Sequence, residues 1–289
     1  MNTEDANKLS IWERMQKIDR RILYVILLIV IAIPTIYQVD MPNVPLPMSI
    51  ALWKTIEETP KDKIVLISSD WSNSTRGENK GQMAALISHM MKRHIRFAVM
   101  SFDITASQVA QSLVDELAKK YGAVYGVDYI YFGYQPAGAL YVKGINEDII
   151  TGKVDARDKK PLASWPVMKG IKSASEIHIV IEIAASAMHG VWLGLLKPGV
   201  KVGICPTAIM APEAIPYFQS GQLAGILWGA KGAYDYEQLN VKNHTGDPGT
   251  AGRYMSPLSA AFTLIILSIV VGNVGMLVGN KNARRRSGE

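Results

Sequence analysis

Cysteine is almost missing from this sequence: Cys205 is the only one in 289 residues. An intramolecular disulfide and a cysteine-based zinc site are therefore excluded. The apolar run Val202 to Cys205 reads as a place for a small buried thiol. A reactive thiol wants an accessible, electropositive setting. Histidine is thin as well. The five stand at 89, 94, 178, 189 and 244, with no H-x-x-x-H or H-E-x-x-H spacing, so no metal site is expected. Neither a Walker-type phosphate loop, nor G-x-G-x-x-G, nor a G-x-S-x-G elbow is present, which leaves nucleotide binding and serine nucleophiles without a motif. No cofactor is expected.

Charge is missing from two long stretches. Ile22 to Val39 has 18 residues and Pro257 to Gly279 has 23, and neither holds an acid or a base. A helix crossing a bilayer needs about 20 mostly apolar residues. Arg20 and Arg21 precede the first stretch and Asp40 follows it, while Lys281, Arg284, Arg285 and Arg286 follow the second. Tyr24 and Tyr37 lie near the ends of the first, where amphipathic rings favour the interface. Pro34 is tolerable in a lipid-buried helix. A cleaved signal peptide fits poorly, because its apolar core is shorter and is followed by a small-x-small site.

Lys and Arg gather on the side that is not translocated. Lys8, Arg14, Lys17, Arg20 and Arg21 stand before the first span, and the four cations already named stand after the second. The expected organisation is a cytoplasmic tail (1–21), a span (22–39), an extracytoplasmic domain (40–255), a second span (256–280) and a basic cytoplasmic tail (281–289). Residues 40–255 carry 22 basic and 20 acidic side chains, so most of the +6 net charge belongs to the tails. That near balance argues against a nucleic-acid face on the domain.

What the middle does have is alternation. Met41 to Pro47 holds three prolines and reads as a stiff spacer. Short apolar runs predict strands at Lys63–Ser69, Ile95–Phe102, Asp128–Tyr134, Ile177–Ala184 and Lys201–Cys205. Helical spacing predicts Ser49–Glu58 with Ser49 as cap, and Asn79–His94 with Met83, Leu86, Ile87, Met90 and Met91 on one face. It also predicts Ile104–Tyr121 stopped by Gly122, a piece near Ser186–Leu196, and a long last helix over Pro212–Leu239. Thr151 to Lys160 reads as exposed loop or short helix, and His244 to Thr250 as a linker. The fold class expected is α/β: a doubly wound, mostly parallel, Rossmann-like sheet of about five strands, flanked by two transmembrane helices.

In such sheets ligands sit beyond the carboxyl ends of the strands. This nominates Ser68, Ser69, Asp70, Asn73, Arg76 and Asn79 after the first strand, Ser101 and Asp103 after the second, and Thr207 after the fifth. The first loop leads into a helix start, where free amides and Arg76 would attract an anion; an ordinary solvated loop with capping residues is the reading the sequence favours over it. Asp70, Asp103, Ser69 and His189 are the candidates for acid–base work. Glu182 lies inside the apolar run Ile177–Ala184 and reads more readily as a structurally paired acid than as one at the carboxyl edge of the sheet.

Gly221, Gly225, Gly229 and Gly232 recur at helical spacing, which predicts one glycine stripe for close packing on the last helix of the domain. Gly275 and Gly279 form a G-x-x-x-G pair in the second span. These features suggest a non-catalytic subunit or scaffold of an envelope membrane assembly, with membrane lipid and other membrane proteins as partners in a homo- or hetero-oligomer. A hydrolase or transferase working through Asp70 and Asp103, and a ligand sensor or transport accessory, are the alternatives. The short tails leave no room for an output domain, so a sensor would need a partner.

Overall fold

A computed structural model describes residues 18–37, 42–136, 138–186, 188–249 and 251–287, with side chains as far as residue 279. The tail cations Lys8, Arg14 and Lys17, together with Val39, Asp40 and Thr250, lie outside the described residues, as do the side chains of Lys281 and Arg284 to Arg286. The chain divides into two compact units, Pro42–Ala251 and a second made of Met1–Met41 with Gly252–Glu289.

In the larger unit, six strands form one all-parallel sheet: β1 (Ile64–Asp70), β2 (Phe97–Ser101), β3 (Tyr129–Tyr134), β4 (Ile177–Ala184), β5 (Lys201–Pro206) and β6 (Gly225–Ile226). Their spatial order is β3-β2-β1-β4-β5-β6. The strands are apolar on both faces because both faces are covered. Val65 and Ile67 of β1 enter one core layer, and Ile64 and Leu66 the other.

The first layer is supplied by α2 (Pro47–Glu57), α3 (Arg76–Lys92), α4 (Ile104–Tyr121) and α8 (Gly229–Lys242), which contribute Leu52, Leu86, Val114 and Tyr236. The second is supplied by α5 (Gly138–Glu147), α6 (His189–Leu195), α7 (Ala211–Gln219) and the turns over 162–176. The expected inward residues of α3, from Met83 to Met91, are all buried. Gly122, at φ 68°, closes α4 in the left-handed region that glycine enters at no steric cost.

Three expectations fail, each for a physical reason. The sheet has six strands rather than five. The sixth lies inside the stretch expected as one long helix, Pro212–Leu239, which is in fact α7, a turn, β6 and the start of α8. The glycine stripe therefore does not exist: Gly221 is in the turn, Gly225 in β6, Gly229 at the start of α8 and Gly232 within it. Gly225 does meet another backbone closely, for a Cβ there would lie 2.5 Å from the Leu52 amide nitrogen of α2. Ser49 is not a cap but lies buried inside α2, because Pro47 fits the first turn and the α2 N-terminus is served from α8 instead. There the Asp235 carboxylate accepts from the Leu46 amide at 2.9 Å and from the Ser49 hydroxyl at 3.3 Å. The loop expected over 151–160 is present and mostly exposed, and it folds around one buried residue, Asp155. This carboxylate accepts from the amides of Arg157, Asp158 and Lys160, the Tyr125 hydroxyl and the Trp165 indole.

The second unit contains the two helices long and apolar enough to cross a membrane, α1 (Arg20–Tyr37) and the stretch Ala251–Gly279 of α9 (Ala251–Ser287). Most of their large apolar side chains are exposed. Their hydroxyls bond back within the helix: Thr35 to the Ile31 carbonyl, Thr263 to Ser259 and Ser268 to Leu264, at 2.7–2.8 Å. Gly275 is buried and Gly279 half-buried on α9. The helix continues past Gly279 as far as Ser287.

Candidate functional site

Strand order reverses between β1 and β4, so the crevice of this doubly wound sheet opens beyond their carboxyl ends. Both strands carry an acid there. Ser68 stands opposite Glu182, and Asp70 stands opposite Ala184. Asp70 is mostly enclosed but well supplied with donors. Its Oδ1 accepts from the Phe102 amide at 2.6 Å and the Ser101 hydroxyl at 3.0 Å, and its Oδ2 accepts from the Ser68 hydroxyl at 2.5 Å. Burial pushes its pKa above the usual carboxylate range; the hydrogen bonds pull it back in part, and the Asp103 charge pushes the same way as burial.

Glu182 is the opposite case. It is 2 % exposed, and its Oε1 accepts one hydrogen bond, from the Met188 amide at 3.0 Å. Its Oε2 is buried without a partner among the described residues. Burial raises its pKa well above the ordinary value, and the neighbouring Asp70 charge raises it further. A carboxyl group in this position favours the neutral form. The pair thus offers one hydrogen-bonded carboxylate beside one carboxyl oxygen with nothing to bind. Such a pair suits a ligand that brings a hydrogen-bond donor or a positive charge, and it also suits proton transfer.

The remaining nominated residues disperse. Ser101 stays in the crevice, donating to Asp70 and also approaching the Asp103 carbonyl at 2.8 Å. The Asp103 carboxylate turns away to cap α4, accepting from the Ala106 amide at 2.6 Å. Ser69 faces the other core layer, its hydroxyl 3.5 Å from the Met83 sulfur. Asn79 is buried on α3, where its amide donates to Gln82 at 2.8 Å and to the Cys205 carbonyl at 3.2 Å. Gln82 in turn reaches the carbonyls of Pro206, Leu227 and Gly229.

His189 starts α6 and packs edge-on against Tyr217 with ring centroids 5.3 Å apart; burial lowers its pKa, so the ring is neutral at pH 7. Thr207 is buried just after β5, and its hydroxyl has no partner among the described residues. Asn73 and Arg76 line a separate cavity beside Trp71. Among the described residues, no group of three or more His, Cys, Asp or Glu side chains could hold a metal ion.

The sequence reasoning paired Asp70 with Asp103. The residue that joins Asp70 is Glu182, whose signal was an acid at an inward position of an apolar strand. Cys205, fully buried in β5, has its thiol pKa pushed up by that burial and is unreactive in the folded state. The chain matches no family model, no curated protein and no solved structure.

Proposed function

We propose that this protein is a membrane-anchored α/β domain that binds a small polar ligand between β1 and β4, and acts as a non-catalytic subunit of an envelope membrane assembly. The observation that carries the ligand reading is the unpartnered buried Oε2 of Glu182, beside Asp70, at the point where strand order reverses. The anchoring reading is supported by two helices long and apolar enough to cross a membrane, most of whose large apolar side chains are exposed. The Lys and Arg residues outside the two spans favour cytoplasmic termini and an extracytoplasmic domain over 40–255. Lipid and other membrane proteins, in a homo- or hetero-oligomer, are the partners this arrangement fits, with Gly275 and Gly279 as a helix-packing face.

An acid–base enzyme, a hydrolase or transferase on a polar substrate, is the second reading. It is favoured by the upward pKa shifts of Asp70 and Glu182, and it rests on that pair because Asp103 is engaged as a helix cap.

The test screens polar and cationic metabolites for a rise in the unfolding temperature of the full chain in detergent. The expected rise is abolished in Glu182→Gln. A ligand that stabilises this variant as well as the parent chain places binding elsewhere and ends the proposal. Turnover of the ligand that Asp70→Asn abolishes would select the enzyme reading. Release of the protein from membranes by alkaline carbonate would end the anchoring reading.

A further inference from the structure

The two ends of the parallel sheet differ in chemistry. At the amino end of the strands the chain is charged: Lys61, Asp62 and Lys63 precede β1, Arg93 and Arg96 precede β2, and Lys172 precedes β4. At the carboxyl end it is largely uncharged. Between β3 and Lys143, between β4 and Lys197, and between β5 and Glu213 there is no Asp, Glu, Lys or Arg. Exposed charge at this end is limited, among the described residues, to Arg76, Asp103 and Glu213, at or beside the starts of α3, α4 and α7. Four large apolar side chains are exposed there instead. Ile104 opens α4 just after β2 and is 58 % exposed, and Tyr134 closes β3 at 43 %. Leu140, in the first turn of α5, reaches 71 %, and Ile209, between β5 and α7, reaches 86 %. A single exposed apolar residue is ordinary, but several on one uncharged rim mark a surface that meets something apolar.

The same end of the domain is joined to the candidate spans. Lys231, the third residue of α8 after β6, donates to the Asn43 side chain at 2.8 Å and to the Val44 carbonyl at 3.1 Å. Asp235, one turn further on, accepts from the Leu46 amide. Val44 is itself 85 % exposed. It stands seven positions after Tyr37, the last residue of α1, which is a reach of at most about 25 Å. On the way out, Ala251 is buried beside Gly81 in the second turn of α3, where an added Cβ would lie 3.7 Å from the Ala251 Cβ. Ala251 is also the first residue of α9, so no linker separates the domain from that helix.

We propose that the carboxyl-end rim of the domain, with Ile104, Tyr134, Leu140 and Ile209 at its surface, docks on the lipid interface of the membrane that holds the chain. This rests on the anchoring reading given above. An uncharged apolar rim suits the boundary between headgroups and acyl chains, and Tyr134 has the amphipathic ring that favours that depth. The rim offers little to the charge of an anionic lipid, which calls for clustered Lys and Arg. The charged amino ends of the strands are left to water.

The experiment places one fluorophore at a time on Leu140→Cys, Ile209→Cys, Lys61→Cys and Ile266→Cys in the full chain; Cys205 is fully buried and stays unlabelled. Each labelled chain enters phosphatidylcholine nanodiscs with or without a nitroxide high on the acyl chain. At Leu140 and Ile209 the nitroxide is expected to remove about half of the fluorescence, as for a side chain buried roughly 5–10 Å into the interface, and at Lys61 almost none. Ile266, 61 % exposed on α9, reports the anchor and is expected to be quenched. Quenching at Ile266 with none at Leu140 and Ile209 would overturn the proposal while leaving the anchor standing, and would give the rim to a protein partner. Equal quenching at Lys61 and Ile209 would overturn it too. Absence of quenching at Ile266 would end the anchoring reading, and this proposal with it.

Discussion

Two buried carboxyl groups in this domain are treated in opposite ways. Asp235 on α8 is fully enclosed, and both its oxygens are engaged: Oδ2 by the Leu46 amide and the Ser49 hydroxyl, and Oδ1 by the Lys231 ammonium. Lys231 is held in turn by Asn43 and by the Val44 carbonyl. Glu182 on β4 is equally enclosed but has one donor on one oxygen and none on the other. The first is an acid used as mortar, holding α2 to α8. The second costs stability where it stands, and a fold keeps such a group only where something else needs it.

Removing each acid therefore changes stability with opposite sign. Asp235→Ala strands the Lys231 charge and leaves the α2 N-terminus without its acceptor. We expect a loss of about 3 kcal/mol in denaturant unfolding of the full chain followed by tryptophan fluorescence. A loss under about 1 kcal/mol would break the contrast.

Glu182→Gln should instead stabilise the domain at pH 7, on the order of 1 kcal/mol. The sign follows from linkage. Asp70 and Glu182 hold their protons more tightly in the folded state than in the unfolded one, whose ordinary values are 3.8 and 4.5. Above those values the unfolded chain releases protons that the folded domain retains, so their joint contribution falls as pH rises, until the folded groups also ionise. Unfolding measured between pH 5 and 8 should show this fall in the parent chain and a flatter line in Glu182→Gln. A parallel line would mean that Glu182 is already charged at pH 5.

The smallest effect sharpens the comparison at Asp103. As a cap, it should cost about 1 kcal/mol when replaced by alanine and only a few tenths when replaced by asparagine, which also caps. Equal losses in the two variants, in the same unfolding assay, would mean that the negative charge at Asp103 matters beyond the hydrogen bond to Ala106.

Five strands were legible because each is an apolar run rich in Val, Ile or aromatic residues between polar turns. α4 was legible to the residue, since Gly122 ends it in a conformation that glycine favours. β6 was not, because two residues carry no periodicity. Glycines spaced by four imitate a helical stripe although each serves a different local need, and at Gly225 that need is the passage of α2. Asp70 could be placed at the crevice by the strand-end rule alone. Its partner could not, because only the pairing of β1 with β4 brings Ser68 opposite Glu182, and that pairing depends on strand order. Trp71 carried no signal at all; that its indole N–H is buried without an acceptor among the described residues shows only in the folded chain.

The brevity of β6 bears on how copies of this protein can meet. A sheet whose last strand is two residues long offers an incoming chain hardly any free amides and carbonyls along that margin. Lengthening of the sheet from one molecule into the next is thereby discouraged along the β6 margin, whereas the other margin is the six-residue β3.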